Sequence, residues 1–322
     1  MRISRKKLLD ESSATGFRPD VLEKSVHLLG LLEALASHPA LKDSIALKGG
    51  TALNLFLFDL PRLSVDVDLN YIGSPDREAM LAARPKIEEA IGAVLKREGF
   101  DVRRVPQEHA GGKWRLKFPS ALGETASLEL DVNFMLRTPL WPVQSRDSRP
   151  LGSFRAGGIP VVDEVELAGG KLSALFSRRA SRDLFDAHHF LTRIPFDRRR
   201  LRIAFVVYGA INRKDWRTIG IQDVAFEEEE LRQRLIPLLR GHAVQGPGSP
   251  KEWGARLAEE CREALSAVLP FEPGEREFLD RLLDHGEIEP EPLTQDEGLA
   301  DRIRRHPGLA WKAINVRRFK KR

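Results

Sequence analysis

The chain has 322 residues, 42% hydrophobic and 31% charged, which is enough for a sizeable core and too hydrophobic for intrinsic disorder. It has no run of eighteen apolar residues, so no transmembrane helix is expected, and its single cysteine, Cys261, excludes an internal disulfide or a cysteine-based zinc site. The net charge of +5 is unevenly placed: residues 301–322 hold nine Lys/Arg against one acid, which leaves the rest of the chain slightly acidic.

The basic start, MRISRKKLLDESS, lacks the apolar centre of a secretory signal, so a cytoplasmic protein is expected. Residues 20–38 place Val21, Leu22, Val26, Leu29, Leu32 and Leu35 near helical spacing, which predicts an amphipathic helix. SIALKGG reads as a short strand running into a glycine turn. TALNLFLF reads as a helix with Thr51 at its N-cap. SVDVDLNYIG alternates as a strand with Ser64, Asp66 and Asp68 on one face. Residues 74–98 predict a helix interrupted at Pro85. Three strands follow, FDVRRVPQE, KWRLKFPS and ASLELDVNFML, with Gly111-Gly112 as the hairpin turn between the first two. Residues 148–163 read as a Gly/Pro-rich connector or short hairpin.

From residue 164 the pattern becomes helical. Two segments are expected over 164–194, and further helices over 197–211, 227–242, 249–269 and 272–286. The expected fold class is therefore mixed α+β and bilobed: a sheet domain over 1–163 and an all-helical domain with a basic tail over 164–322. The tail suits either nucleic-acid phosphates or a solvated helix end, and Trp311 and Phe319 among its bases lean towards a docked or binding segment.

Two carboxylates on one strand face need a cation or strong solvation. A glycine pair before a helix lets the backbone approach a phosphate, although a tight turn alone also explains it. Together, the Gly49-Gly50 turn and the Asp66/Asp68 pair are what a Mg²⁺–triphosphate site needs.

KGGTALNLFLFDLPRLSVDVDLN resembles the glycine-turn and Asp-x-Asp signature of the polymerase-β-like nucleotidyltransferases. More narrowly it resembles the AbiEii/AbiGii toxin family of bacterial toxin–antitoxin pairs. AGGKLSALFSRRASRDLFDAHHFL resembles that family's second block, at Lys171, Arg182, Asp183 and Asp186. The resemblance implies a polymerase-β-like sheet domain and a nucleotide site on Gly49, Gly50, Thr51 and Ser64. It implies one or two Mg²⁺ ions on Asp66, Asp68 and a third carboxylate, for which Asp131 is the choice, with Glu129 two positions earlier on the same face. Lys171, Arg182 and Asp186 would serve the triphosphate or the acceptor. The implied reaction moves a nucleoside monophosphate from an NTP to a hydroxyl, with RNA (a tRNA 3′ end) as acceptor, in a toxin–antitoxin or phage-defence setting with a cognate antitoxin and no membrane.

The bland alternative for the second block is helix-face pairing, Arg182 with Asp186 and Arg179 with Asp183. Rival readings of the whole chain are a transferase for a small-molecule acceptor and an inactive binding protein on the same fold. His188 and His189 are read as structural, since adjacent helical residues point about 100° apart. Lys113, Arg115 and Lys117 form either a basic wall or a solvated sheet face. The acidic stretch 271–297 reads as a solvated helical face or a surface for a basic partner.

Overall fold

The computed structural model describes residues 3–105, 111–241 and 248–320. They divide into two compact units. The first comprises Met1–Arg137, Val143–Val162 and Ile236–Gly246; the second comprises Thr138–Pro142, Asp163–Leu235 and Pro247–Arg322.

The first unit opens with α1 (Arg5–Thr15) and α2 (Pro19–Ala36), the latter started by Pro19 at its first turn. Strand β1 (Ile45–Lys48) leads into α3 (Gly49–Ala52), which continues through a π-helical turn at Leu53–Leu57. Strand β2 (Asp66–Tyr71), α4 (Arg77–Arg97), β3 (Asp101–Val105), β4 (Gly111–Pro119), β5 (Thr125–Asn133), β6 (Gln144–Arg146) and β7 (Ile159–Val161) follow. The strands form one mixed sheet in the order β3-β4-β5-β2-β1-β7-β6, with β5/β2 and β1/β7 parallel and the other pairs antiparallel.

Alternation decides what each face of the sheet does. Val67, Leu69 and Tyr71 of β2, Leu128, Leu130 and Val132 of β5, and Trp114, Leu116 and Phe118 of β4 are all buried. His27 of α2 lies with its ring centroid 4.1 Å from that of Phe118, so α2 covers this apolar face. Each such leucine or valine contributes about 1.5–3 kcal/mol on burial. The opposite face carries the charged residues.

Several local expectations are corrected. Thr51 is not an N-cap: the helix begins two residues earlier, Lys48 occupies the cap, and Thr51 Oγ1 instead donates to the Asp66 carbonyl at 2.5 Å. Ser64 lies two residues before the start of β2; it is buried, and its carbonyl accepts from Ser25 Oγ at 3.4 Å. Pro85 does not interrupt α4. It sits on the exposed side of the helix, while Met80, Ile87, Ile91, Val94 and Leu95 hold the buried side. Gly111 and Gly112 are paired strand residues opposite Asn133 and Val132 and form no turn; a Cβ on Gly112 would come within 2.7 Å of the Trp114 ring. The remainder of the expected first strand, 106–108, lies outside the described residues.

The second unit has no strand among its described residues. Its helices are α5 (Glu164–Ser177), α6 (Ser181–Arg193), α7 (Arg198–Ala210), the single turn α8 (Glu228–Glu230), α9 (Pro250–Ala264), α10 (Pro273–Asp280), α11 (Glu297–Arg304) and α12 (Pro307–Lys320). The helix expected over 227–242 is broken into α8, a π-helical turn (Leu231–Leu235) and a 3₁₀ turn (Ile236–Leu238), because Pro237 cannot donate to a continuing ladder. α5 packs on α6 and α7, and α6 on α9. Trp216 is fully buried against the rings of Phe176 and Phe205. Arg202, also buried, holds Glu275 through two hydrogen bonds of 2.8 and 2.6 Å.

Candidate active site

Strand pairing turns a sequence pattern into a charged patch in the first unit. β2 runs parallel to β5 in a register that sets Asp66 beside Glu129 and Asp68 beside Asp131. On the outer side of each carboxylate pair stand cations. Lys48 of β1 pairs with Asp68, and Lys113 and Arg115 of β4 pair with Asp131 and Glu129. One row across the sheet therefore reads Lys48–Asp68–Asp131–Lys113, and the next Asp66–Glu129–Arg115.

The side chains respond to this placement. Burial raises the Asp131 carboxyl above the usual carboxylate range and the Asp68 charge adds to the rise, while Lys48 and Lys113 oppose it. Lys113 Nζ lies 2.5 Å from Glu129 Oε2, and Arg115 Nε 3.3 Å from Oε1. The hydrogen bond to Glu129 raises the Lys113 ammonium, and the same bond lowers Glu129. Glu129 is thus committed to basic neighbours, whereas Asp68 and Asp131 form a like-charged pair.

Gly49 borders this pair. Its φ of +74° is the left-handed conformation that favours glycine, and a Cβ there would stand 2.5 Å from Asp68 Oδ2. Gly50 has no such φ; its carbonyl accepts from Asn54 Nδ2 at 2.9 Å. The glycine turn and the carboxylate strand are held together by the bond from Thr51 to the Asp66 carbonyl.

In the second unit, Lys171 of α5 is buried and bridges two carboxylates of α6, Asp183 at 2.7 Å and Asp186 at 3.0 Å. Arg178 reaches Asp183 at 2.7 Å. Burial would raise the Asp183 carboxyl, but Lys171 and Arg178 outweigh it and hold it low. Asp183 thus takes its cations from α5 and from the residue just after it, where the helix-face alternative expected Arg179. Arg182 stands on the first turn of α6. His188 Nε2 lies 2.7 Å from Glu260 Oε2, and His189 stacks on Phe185 and is lowered to about 4 by burial.

Sequence reasoning missed Lys48 as a flank of the carboxylates and Arg178 as a partner of Asp183. Lys48 was visible only as the residue before the glycines, and Arg178 only as one arginine in a pair.

The sequence model of the nucleotidyl transferase AbiEii toxin family, a type IV toxin–antitoxin system, matches residues 30–285. The chain belongs to this family. It is a nucleotidyltransferase, the toxin component of such a system, and its substrate is a nucleoside triphosphate. The fold is similar to that of MenT4, a nucleotidyltransferase toxin from Mycobacterium tuberculosis H37Rv, with a TM-score of 0.58 and 18% identity over 94% of this chain and 98% of that one. No curated protein sequence matches.

Among the described residues of this AbiEii chain, no three His, Cys, Asp or Glu side chains converge as a self-sufficient metal cage. The carboxylates at hand still fit Mg²⁺, a hard ion that takes one or two carboxylates and completes its shell with water and substrate phosphate. No described helix is long and apolar enough to cross a membrane.

Proposed function

We propose that this chain transfers a nucleoside monophosphate from an NTP to a terminal hydroxyl of RNA, with a tRNA 3′ end as the preferred acceptor. The observation that carries the reading is the in-register pairing of Asp68 with Asp131 beside the left-handed Gly49. Of Asp66, Asp68 and Asp131, one or two would hold each Mg²⁺ ion, which when bound supplies positive charge to the phosphates and to the oxyanion developing on the α-phosphorus. The backbone N–H groups that open α3 at Gly49, Gly50 and Thr51 lack intrahelical partners by geometry and suit phosphate oxygens.

In the reaction the acceptor oxygen bonds to the α-phosphorus and the bond to the β-phosphate oxygen breaks, so pyrophosphate leaves. The acceptor proton passes to the Asp131 carboxylate. Lys48 and Lys113 limit the negative charge that the carboxylates bring to an anionic substrate. Ser64 is assigned to the approach to the nucleotide site. On the strength of their block's resemblance to the family, Lys171 and Asp186 are assigned catalytic roles and Lys171 and Arg182 nucleotide binding. Catalysis here is positioning and electrostatics, with no covalent intermediate required.

The test is incubation of purified protein with Mg²⁺, total tRNA and each α-labelled NTP in turn. Label is expected on RNA with the wild-type chain and not with Asp68→Asn. Label on a small molecule or on protein alone would overturn the acceptor assignment.

A further inference from the structure

The exposed aromatic side chains of the second unit gather in one place. Of the large hydrophobic residues exposed among the described residues, the two aromatic ones are Trp311 (45%) and Phe319 (75%), both on α12. With Asn315 between them they form an i, i+4, i+8 stripe, which sets the two rings about 12 Å apart along the helix axis. Lys312 and Val316 form the adjacent stripe. Together with Asn212, Arg213 and Leu283 these residues line a groove of about 650 Å³.

The lining contains two cations, Arg213 and Lys312, and no acid. The neighbouring Asp215, Asp280 and Asp284 are engaged by Arg217 at 2.7, 3.0 and 2.6 Å. Lys312 Nζ is anchored on the Asn212 carbonyl at 2.5 Å, which pins the basic wall to the end of α7. Arg317 and Arg318 extend the positive charge along α12. The buried side of the helix, Leu309 and Ala313, is separate from this stripe, which leaves most of Phe319 and nearly half of Trp311 open to solvent.

We propose that the α12 groove docks the single-stranded portion of the RNA acceptor, its bases stacking on Trp311 and Phe319 and its phosphates meeting Arg213 and Lys312. It rests on the RNA acceptor proposed above. Exposed aromatic faces interleaved with cations are the chemistry of a sequence-tolerant single-strand platform. Aromatic residues and arginine also anchor protein interfaces, so an acidic protein partner is the competing occupant that the experiment has to exclude.

The experiment is fluorescence anisotropy with a labelled single-stranded RNA of about 12 nucleotides. It uses the full chain carrying Asp68→Asn and no NTP, so that binding is read apart from chemistry. Trp311→Ala with Phe319→Ala is expected to weaken binding at least tenfold with the circular dichroism spectrum unchanged. Arg213→Gln is expected to flatten the salt dependence by about 0.7 in log–log slope. Unchanged affinity in the double variant, or displacement of RNA by poly-glutamate at equal charge, would overturn the proposal. Binding that depends on α12 without any transfer by the wild-type chain would support this surface and count against the proposed reaction. Transfer to RNA with binding untouched by the double substitution would do the reverse.

Discussion

Gly49 and Asp68 are in contact across the β1–β2 edge: the hydrogen that stands in for a Gly49 side chain points at the Asp68 carboxylate, where a Cβ would be 2.5 Å from Oδ2. The glycine turn and the carboxylate strand are therefore one unit. Gly49→Ala is expected to cost about 1–2 kcal/mol from the left-handed backbone alone and to push Asp68 out of register with Asp131. Gly50→Ala, at a position without that φ, should cost less. Urea titration gives the stabilities. The thermal shift caused by Mg²⁺ and NTP should vanish in Gly49→Ala and persist in Gly50→Ala.

Asp68→Asn separates activity from stability. Asp131 is raised in part by the Asp68 charge, so removing that charge relieves repulsion in the free protein. The variant is expected to melt at or slightly above the wild-type temperature in chelator, to gain nothing from Mg²⁺, and to lose transfer by at least about a hundredfold. Calorimetry with and without Mg²⁺ alongside the labelling assay checks all three. A variant that melts lower in chelator would mean that Asp68 has a structural partner outweighing the repulsion.

Much of the first unit was legible because period-2 alternation survives in a one-sided sheet. Asp66 and Asp68 alternate with Val67 and Leu69, and Glu129 and Asp131 with Leu128 and Leu130, so each strand announced its own faces. Register was not legible. That Asp68 meets Asp131 and Lys48 depends on which strands pair, and no local pattern encodes a partner sixty residues away. The local errors have the same origin. Thr51 has the composition of a cap, yet the carbonyl that takes its hydroxyl belongs to Asp66, fifteen residues on. Pro85 has the composition of a breaker, yet it faces solvent, and the buried side of α4 outweighs one missing hydrogen bond. The spacing of Lys171, Asp183 and Asp186 could not show that all three are buried together.

That burial gives Lys171 a stability consequence besides its assigned role. Lys171→Ala leaves Asp183 with Arg178 and strips Asp186 of a cation 3.0 Å away inside the unit. Breaking a buried pair in this way costs about 3–5 kcal/mol. The double variant Lys171→Ala/Asp186→Asn should cost less than the sum of the single substitutions, because it also removes the charge that Lys171 faces at 3.0 Å. A double-mutant cycle by denaturant titration measures the coupling, and additivity would show that the two side chains do not depend on each other. Activity of the single variant needs to be read at a temperature where the fold is intact.

Glu166 supplies the clearest pH dependence of the helical unit. It is buried on α5, accepts from the N–H groups of Leu140 and Trp141 at 2.9 and 3.3 Å, and is hydrogen-bonded by the Tyr208 hydroxyl. Burial nevertheless raises its carboxyl from 4.5 to about 7. Below 4.5 the group is protonated in both folded and unfolded chains and contributes no slope. Between 4.5 and 7 the folded chain keeps a proton that the unfolded chain has released, so stability falls as pH rises through this window and levels off above it. The total loss across the window is on the order of 3 kcal/mol. Glu166→Gln, which cannot titrate, should flatten that part of the profile even if the amide fits the Tyr208 hydroxyl less well and lowers stability by a constant amount. Denaturant titrations of both proteins at half-unit pH steps measure the difference, and parallel curves from pH 4.5 to 7 would show that Glu166 is ionised in the folded chain throughout.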